Sequence, residues 1–156
     1  MKLKFTIGFL NILVAAIIVG TLIFVRITFN PTGCNYATYL SRQQLLLEGL
    51  GKLMIPLAPI IIILTLVSVY LEKNRNLRMI LLLAAIFIIL NTIISAFGNV
   101  PINNIVMTWN LQNIPENWQK LRDQWWFFNN IRLISATAAL CLIIWANTSN
   151  NLLRSI

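Results

Sequence analysis

Long runs without a charged side chain constrain the fold of this chain more than any other feature. Every residue from Phe5 to Val25 is uncharged, and this run matches the about 20 apolar residues that a helix needs to cross a bilayer. Further apolar runs follow at Leu53–Leu71, from Met79 to about Phe97, and at Leu133–Asn147. The pattern predicts an all-α integral membrane protein with four spans.

The composition agrees with a membrane protein and excludes other classes. The 156 residues are 58% hydrophobic and 10% charged, whereas soluble domains average about 45–50% and about 25%. A chain this apolar is not a disordered tail, and its length allows one domain of about four spans. We predict a single transmembrane domain over residues 1–156, a four-helix bundle with spans at about 5–27, 52–71, 79–97 and 130–148.

The first run could instead be a secretory signal peptide, because Lys2 and Lys4 precede its apolar core. A signal core is usually about 7–15 residues long and ends at a small-residue cleavage site. The run Phe5–Val25 is longer than that and leads to Phe29-Asn30-Pro31. We therefore favour a retained span.

Two of the predicted helices extend beyond the bilayer. Residues 36–52 are amphipathic at helical spacing, which predicts an outer-side helical extension before the second span. The last apolar run is short, but its helical pattern begins near residues 115–117, which predicts a long fourth helix. The aromatic residues at 125–128 are typical of a membrane interface, so the first turns of this helix should project from the bilayer.

The segments between the inner spans carry turn signals. The loop 72–78 is short and densely charged, and it joins the second span to the third. After the third span, Gly98-Asn99-Val100-Pro101 is a sequence that commonly breaks helices. We therefore expect the third span to end there and residues 102–116 to form a polar connector.

The charged, cysteine and histidine residues restrict the possible partners. A net charge of +8 raises the alternative of a nucleic-acid-binding protein. The basic residues flank the uncharged runs and form no stripe, so we predict the lipid bilayer as partner and no nucleic acid. Cys34 and Cys141 are too few for a disulfide framework, and we interpret both as unpaired. Because the chain has no histidine and no metal-ligand spacing, we predict no metal. It also has no P-loop and no G-x-G-x-x-G motif, and we predict no cofactor.

The positions of lysine and arginine bear on orientation in the membrane. With the N-terminus inside, six basic residues fall on each side. Those inside are Lys2, Lys4, Lys73, Arg75, Arg78 and Arg154, and those outside are Arg26, Arg42, Lys52, Lys120, Arg122 and Arg132. The short loop 72–78 favours the orientation with both termini in the cytoplasm. We predict a bacterial inner (cytoplasmic) membrane protein in that orientation.

The fourth helix carries the most specific group of side chains in the sequence. Trp118, Arg122, Trp125, Asn129 and Arg132 are spaced by four, three, four and three residues, which places them on one helix face. The same register continues in small and apolar residues, which let helices approach closely in lipid. We therefore expect this face to point into the bundle as the wall of a pocket for an apolar aromatic small molecule.

Two features of this region leave alternatives open. Arg132 either lies inside the bundle beside an acid such as Glu48 or Asp123, or extends its guanidinium to the headgroups. On the third span, polar residues recur at every fourth position from Asn91 to Asn99. They either form hydrogen bonds between helices or make the opposite wall of the pocket.

Linked motifs run through both halves of the chain. The second half has N-x-P-x-N at Asn99–Asn103 and W-x-x-x-R-x-x-W-x-x-x-N-x-x-R at Trp118–Arg132. The first half has Asn30-Pro31, then Tyr39-x-x-x-Gln43-Gln44, then Leu53-Met54-Ile55-Pro56. Together they resemble the anthrone-oxygenase-like family of small membrane proteins over nearly the whole chain.

The resemblance implies a four-span helical protein that oxidises the central carbon of an anthrone to a quinone with molecular oxygen, without metal or flavin. By that resemblance Arg122, Asn129 and Arg132 would be catalytic and hold the oxyanion. The substrate-binding residues would be Trp118, Trp125, Asn99, Asn103, Gln44 and Glu48. Some relatives have histidine where this chain has Asn129, so a mechanism with a histidine base cannot operate here.

Other functions are compatible with the same sequence. A non-enzymatic membrane bundle acting as a scaffold or subunit is the main alternative, with the Arg/Asn/Trp face fixing helix packing and Arg122 paired with Glu48 or Asp123. A membrane glutathione-transferase-like protein of four spans is a third hypothesis, but no motif supports it. The sequence leaves the oligomeric state and the substrate open.

Overall fold

The computed structural model describes residues 2–152, with side chains described for residues 2–149. Its helices are α1 (Lys2–Thr28), α2 (Tyr36–Leu71), α3 (Arg75–Ile94), a π-helical segment (Ser95–Asn99), α4 (Val100–Val106) and α5 (Trp118–Leu152). In this part of the chain α1, α2, the continuous run Arg75–Val106, and α5 are each long and apolar enough to cross a membrane. The predicted all-α integral membrane four-helix bundle is therefore confirmed. Arg154, used above for orientation, lies outside the described residues.

The four long helices pack as the corners of a square. α1 contacts α2 and α5, and α3 contacts the same two helices, so α1 and α3 lie on one diagonal. Small buried residues, such as Ala15, Ala84 and Ala139, lie where the helices meet. Small residues allow backbones to approach closely in lipid. Large apolar side chains on the outer surface, such as Ile55 and Phe97, are exposed because lipid is their solvent.

Side-chain caps and long uninterrupted helices confirm both predicted extensions. α2 is one helix of 36 residues and begins where Asn35 Oδ1 accepts a hydrogen bond from the Thr38 backbone N–H. Asn74 caps α3 in the same way, by accepting from the backbone N–H groups of Asn76 and Leu77. α5 begins at Trp118 and runs for 35 residues, which gives the long fourth helix.

Polar contacts between α1 and α2 close the end of the bundle that contains the N-terminus. Lys4 Nζ lies 2.6 Å from Glu72 Oε2. Further inside, Asn11 donates from Nδ2 to Ser68 Oγ at 3.3 Å, and Thr65 Oγ1 donates to Asn11 Oδ1 at 3.0 Å. Asn11 and Thr65 are fully buried, and these bonds satisfy polar groups that would be costly in an apolar interior.

The expected helix break after the third span is wrong. The helix continues through the π-helical segment into α4, and the residues expected to begin the connector are helical as far as Val106. Pro101 lies in the first turn of α4, where its missing N–H is not needed. The Val100 N–H bonds five residues back, to Ser95 O, so the wider turn accommodates the change of register.

Gly98 in the π-helical segment permits close contact with α5. A Cβ built at Gly98 would lie 2.8 Å from the ring of Phe128, closer than real Cβ contacts. We expect Gly98→Ala to lower the free energy of unfolding by about 1–3 kcal/mol, because the ring must move. Thermal unfolding in detergent micelles measures this.

Gly49→Ala is the matched control for this substitution. A Cβ at Gly49 meets no atom within 4 Å, and the residue is also helical and exposed. This variant should be as stable as the parent or slightly more stable, because alanine favours the helix. Equal unfolding temperatures for both variants would contradict the close packing of Gly98 on Phe128.

Candidate ligand-binding site

A cavity of about 660 Å³ lies within the bundle and is lined by residues of all the helices. Its volume falls within the range of about 300–1,000 Å³ that is usual for ligand pockets. Along α5 the lining extends from Trp125 to Ala139, a distance of about 20 Å at the rise of an α-helix. Most of the lining is apolar, and the deep end is formed by Ala15, Ile61 and Ala139.

Two lining residues of α5 each have a buried donor group without a hydrogen-bond acceptor in the described part of the chain. Asn129 is 1% exposed, and its Nδ2 has no acceptor among the described residues. Arg132 Nε is likewise buried without an acceptor. Within residues 2–149 neither Glu48 nor Asp123 forms an ion pair with Arg132. Arg132 is nevertheless a lining residue of the cavity, which agrees with the inward alternative.

The polar residues of the third span connect α3 to α5. Asn91 donates from Nδ2 to Arg132 O at 2.8 Å, and Asn99 donates from Nδ2 to Trp125 O at 3.1 Å. These bonds confirm the interpretation as hydrogen bonds between helices. Asn91 also lines the cavity, so both alternatives hold for it, and Ser95 is a further lining residue of the same helix face. The bonds hold α5 in the rotation that points Asn129 and Arg132 inward.

Trp125 and Asn103 form a hydrogen-bonded pair at the end of the cavity opposite Ala139. Trp125 Nε1 donates to Asn103 Oδ1 at 2.6 Å, and both residues line the cavity. Gln44 does not line it, but its Nε2 donates to Val106 O and Trp109 O. Because these carbonyls lie at and just beyond the end of α4, Gln44 holds the helix that carries Asn103.

Trp118 and Arg122 lie outside the cavity lining. The Arg122 guanidinium is 5.1 Å from the centre of the Trp118 ring, and its Nε pairs with Asp123 Oδ1 at 2.8 Å. Trp118 packs against Tyr36 and Tyr39, with ring centres 5.5 and 5.8 Å apart. We expected all five residues of this helix face to lie on one pocket wall. In the structure Trp125, Asn129 and Arg132 line the cavity together, whereas Trp118 and Arg122 do not. Of the remaining predicted residues, Asn103 and Glu48 line the cavity, whereas Asn99 and Gln44 support it from behind.

Several lining residues did not stand out in the sequence. Gly51, Met54 and Ala58 of α2 line the cavity together with Ala96 of the π-helical segment. They recur at helical spacing on α2, but small and apolar residues are common in any membrane helix. Only the position of the cavity distinguishes them.

Few acidic side chains lie near the cavity. Glu48 lines its rim and is exposed, and Asp123 is paired with Arg122. Among the described residues, no group of three or more Cys, Asp or Glu side chains is arranged to hold a metal ion.

The fold and this cavity define a class: an integral membrane helical bundle with an internal, largely apolar cavity. The sequence profile of the anthrone oxygenase family matches residues 46–142. The chain therefore belongs to the anthrone-oxygenase-like family, and the match includes Asn103, Asn129 and Arg132. Comparisons with curated proteins and with solved structures give no match.

Proposed function

We propose that this protein oxygenates an anthrone-like phenolic compound in the cavity without a cofactor. The observation that carries the proposal is that two lining residues of an apolar cavity, Asn129 and Arg132, each hold a buried donor, Nδ2 or Nε, without an acceptor among the described residues. Buried polar groups are normally hydrogen-bonded within the protein. Two such groups on one wall supply the donors that a ligand oxygen needs.

The chemistry uses the acidity of the ligand. Loss of a proton from the central CH₂ of an anthrone gives an anion whose charge lies largely on the ketone oxygen. This anion gives up electrons to O₂, and the overall change converts CH₂ and O₂ into C=O and H₂O. Asn129 and Arg132 stabilise the anion through hydrogen bonds to its oxygen, which are strong in a water-poor site. The flat face of Trp125 suits the aromatic rings, and Glu48 lies at the rim, where the released proton can pass to water.

The proposal is tested with purified protein in phospholipid vesicles supplied with anthrone and O₂. We expect oxygen uptake and quinone absorbance to rise well above those of protein-free vesicles. A rate equal to that of protein-free vesicles overturns the enzymatic function. The Arg26→Gln variant serves as the control, because Arg26 bonds to Asn130 and stacks on Trp126 and does not line the cavity.

A non-enzymatic scaffold or subunit remains a second candidate, supported by a specific observation. Asn91 and Asn99 each donate a hydrogen bond from Nδ2 to a backbone carbonyl of α5. Such bonds hold helices together, so both residues have a packing role. In that case Asn129 would also contribute to packing. The effect of its substitution on stability separates the two candidates.

We also propose that both termini lie in the cytoplasm and the α1–α2 loop lies outside a bacterial inner membrane. The charged loop 72–78 supports this orientation. Cys34 lies in the α1–α2 loop, and both cysteines are free. A membrane-impermeant maleimide added to intact spheroplasts should label Cys34 but not Cys141, which is exposed within the apolar part of α5. Labelling of Cys34 only after lysis would reverse the orientation.

A further inference from the structure

We infer that the cavity opens sideways into the bilayer, between α2 and the helix formed by α3 and α4. Its ligand is then a membrane-dissolved, uncharged aromatic molecule with one ketone or phenol oxygen and an apolar substituent. The identity of the ligand rests on the proposed function. The route of entry rests on the structure alone.

The rim of the opening is defined by residues that line the cavity and are also exposed. On α2 these are Glu48, Lys52 and Ile55, and Ile55 is 75% exposed. On the other side they are Ala96, Val100, Asn104 and Met107. Every lining residue of α1 and α5 is buried or half-buried. The exposed edge of the cavity therefore lies between α2 and α3–α4.

The opening extends from the headgroup level into the hydrocarbon layer. Glu48 and Lys52 are charged, whereas Ile55 lies within the uncharged run Leu53–Leu71 and Ala96 at the end of the third span. A charged rim above an apolar one is the arrangement expected where a helix leaves the bilayer. A molecule dissolved among the acyl chains can therefore reach the cavity without passing through water.

Two prolines weaken α2 beside this opening. Pro56 and Pro59 are inside the helix, and each lacks the N–H that would bond four residues back. The carbonyls of Lys52 and Ile55 therefore lose their usual helical partners. Prolines are the usual sites at which helices bend, so α2 can move at the point where a ligand would pass.

The depth of the cavity indicates the kind of ligand. Beyond Arg132 the α5 wall continues through Ala136 to Ala139, about 10 Å further along the helix axis. Ala15 and Ile61 complete this apolar deep end, and the bonds of Asn11 and Thr65 close the bundle just behind it. A ligand whose oxygen meets Asn129 and Arg132 thus has apolar space left for a substituent.

Thiol labelling tests the route without any substrate. The protein carrying Cys34→Ser, Cys141→Ser and Ala136→Cys is placed in phosphatidylcholine vesicles. It is treated with N-ethylmaleimide, which partitions into the bilayer, or with a sulfonated maleimide, which stays in water. We expect N-ethylmaleimide to react at least about tenfold faster, because the thiol at position 136 is reached from lipid. Cys141, in protein with Cys34→Ser alone, is the lipid-exposed reference.

Each other result of this labelling overturns the proposal. Equal rates for the two reagents would indicate a water-filled mouth, and no reaction with either would indicate a closed cavity. Ser95→Cys, close in shape to the parent residue, provides a second lining position if Ala136→Cys does not fold. Because no anthrone is used, these results are independent of whether the protein oxygenates one.

A blocking substitution tests the position of the opening. Gly51 lines the cavity on α2, and a Cβ there meets no atom within 4 Å, so Gly51→Trp can fill the space without displacing the helix. We expect it to slow labelling at position 136 by N-ethylmaleimide at least about tenfold. Gly49→Trp is the control, since Gly49 has equally open surroundings but lies outside the lining. Equal rates for the two variants would show that entry occurs elsewhere.

Discussion

Replacing Arg132 with Gln is expected to lower the rate of anthrone oxygenation by about 100- to 1,000-fold, the usual effect of removing one oxyanion donor from a water-poor site. Arg132 lines the cavity, and its Nε is buried without an acceptor among the described residues. In the proposed function this donor meets the charge that develops on the ligand oxygen. The initial rate of oxygen uptake in vesicles, at saturating anthrone, measures the effect.

The matched control for this substitution is Arg26→Gln. Arg26 is also an arginine, in the last turn of α1, and it contacts Asn130 and Trp126 on α5 without lining the cavity. Its variant should retain the parent rate within about threefold, since surface interactions of this kind contribute little. If the Arg132 variant kept a comparable rate, Arg132 would not be the oxyanion donor.

The spans were predictable because a bilayer imposes a simple requirement on sequence. A membrane helix must carry about 20 apolar residues in a row, and runs such as Phe5–Val25 meet this condition without reference to the rest of the fold. The extension of α2 was predictable for a similar reason, because residues 36–52 show helical periodicity. Apolar runs and helical periodicity were therefore enough to predict the elements whose structure depends on nearby residues alone.

The continuation of the third helix was not predictable in this way. Gly98 and Pro101 are both helix-breaking residues in isolation. In the structure Pro101 starts a new helical turn after the π-helical segment, and Gly98 lies against the ring of Phe128. The effect of Gly98 is thus set by a tertiary contact with α5, which the sequence pattern does not contain, and Pro101 follows the wider turn of the π-helical segment.

The sequence predicted which face of α5 points into the bundle, but not how far the cavity extends along that helix. Helical spacing placed Trp118, Arg122, Trp125, Asn129 and Arg132 on one face, and the last three do line the cavity. Arg122 lies three residues before Trp125, the first lining residue of α5, which is about 5 Å along the axis. It is therefore beyond that end of the cavity, beside Asp123 and Trp118. Periodicity gives the angle of a side chain around its helix, whereas the ends of a cavity depend on the other helices.

Asn129→Leu is expected to raise stability and lower activity together. Asn129 is 1% exposed and its Nδ2 has no acceptor among the described residues. The parent is therefore destabilised by the free-energy cost of an unpaired buried N–H group. A leucine, which has the same branching and number of heavy atoms, removes that cost, and the free energy of unfolding should rise by about 1–2 kcal/mol. The rate of oxygenation should fall by at least about tenfold, because one of the two donors to the ligand oxygen is lost. Thermal unfolding in detergent and oxygen uptake in vesicles measure the two effects.

The same substitution at Asn91 should have the opposite effect on stability. Asn91 donates to Arg132 O at 2.8 Å and so joins α3 to α5, and Asn91→Leu should lower the free energy of unfolding by about 0.5–1.5 kcal/mol. An unpaired polar group that costs stability persists where function requires it, whereas a packing residue contributes stability. If both variants were less stable than the parent, Asn129 would be a packing residue like Asn91. The polar residues of the fourth helix would then fit a scaffold better than an enzyme.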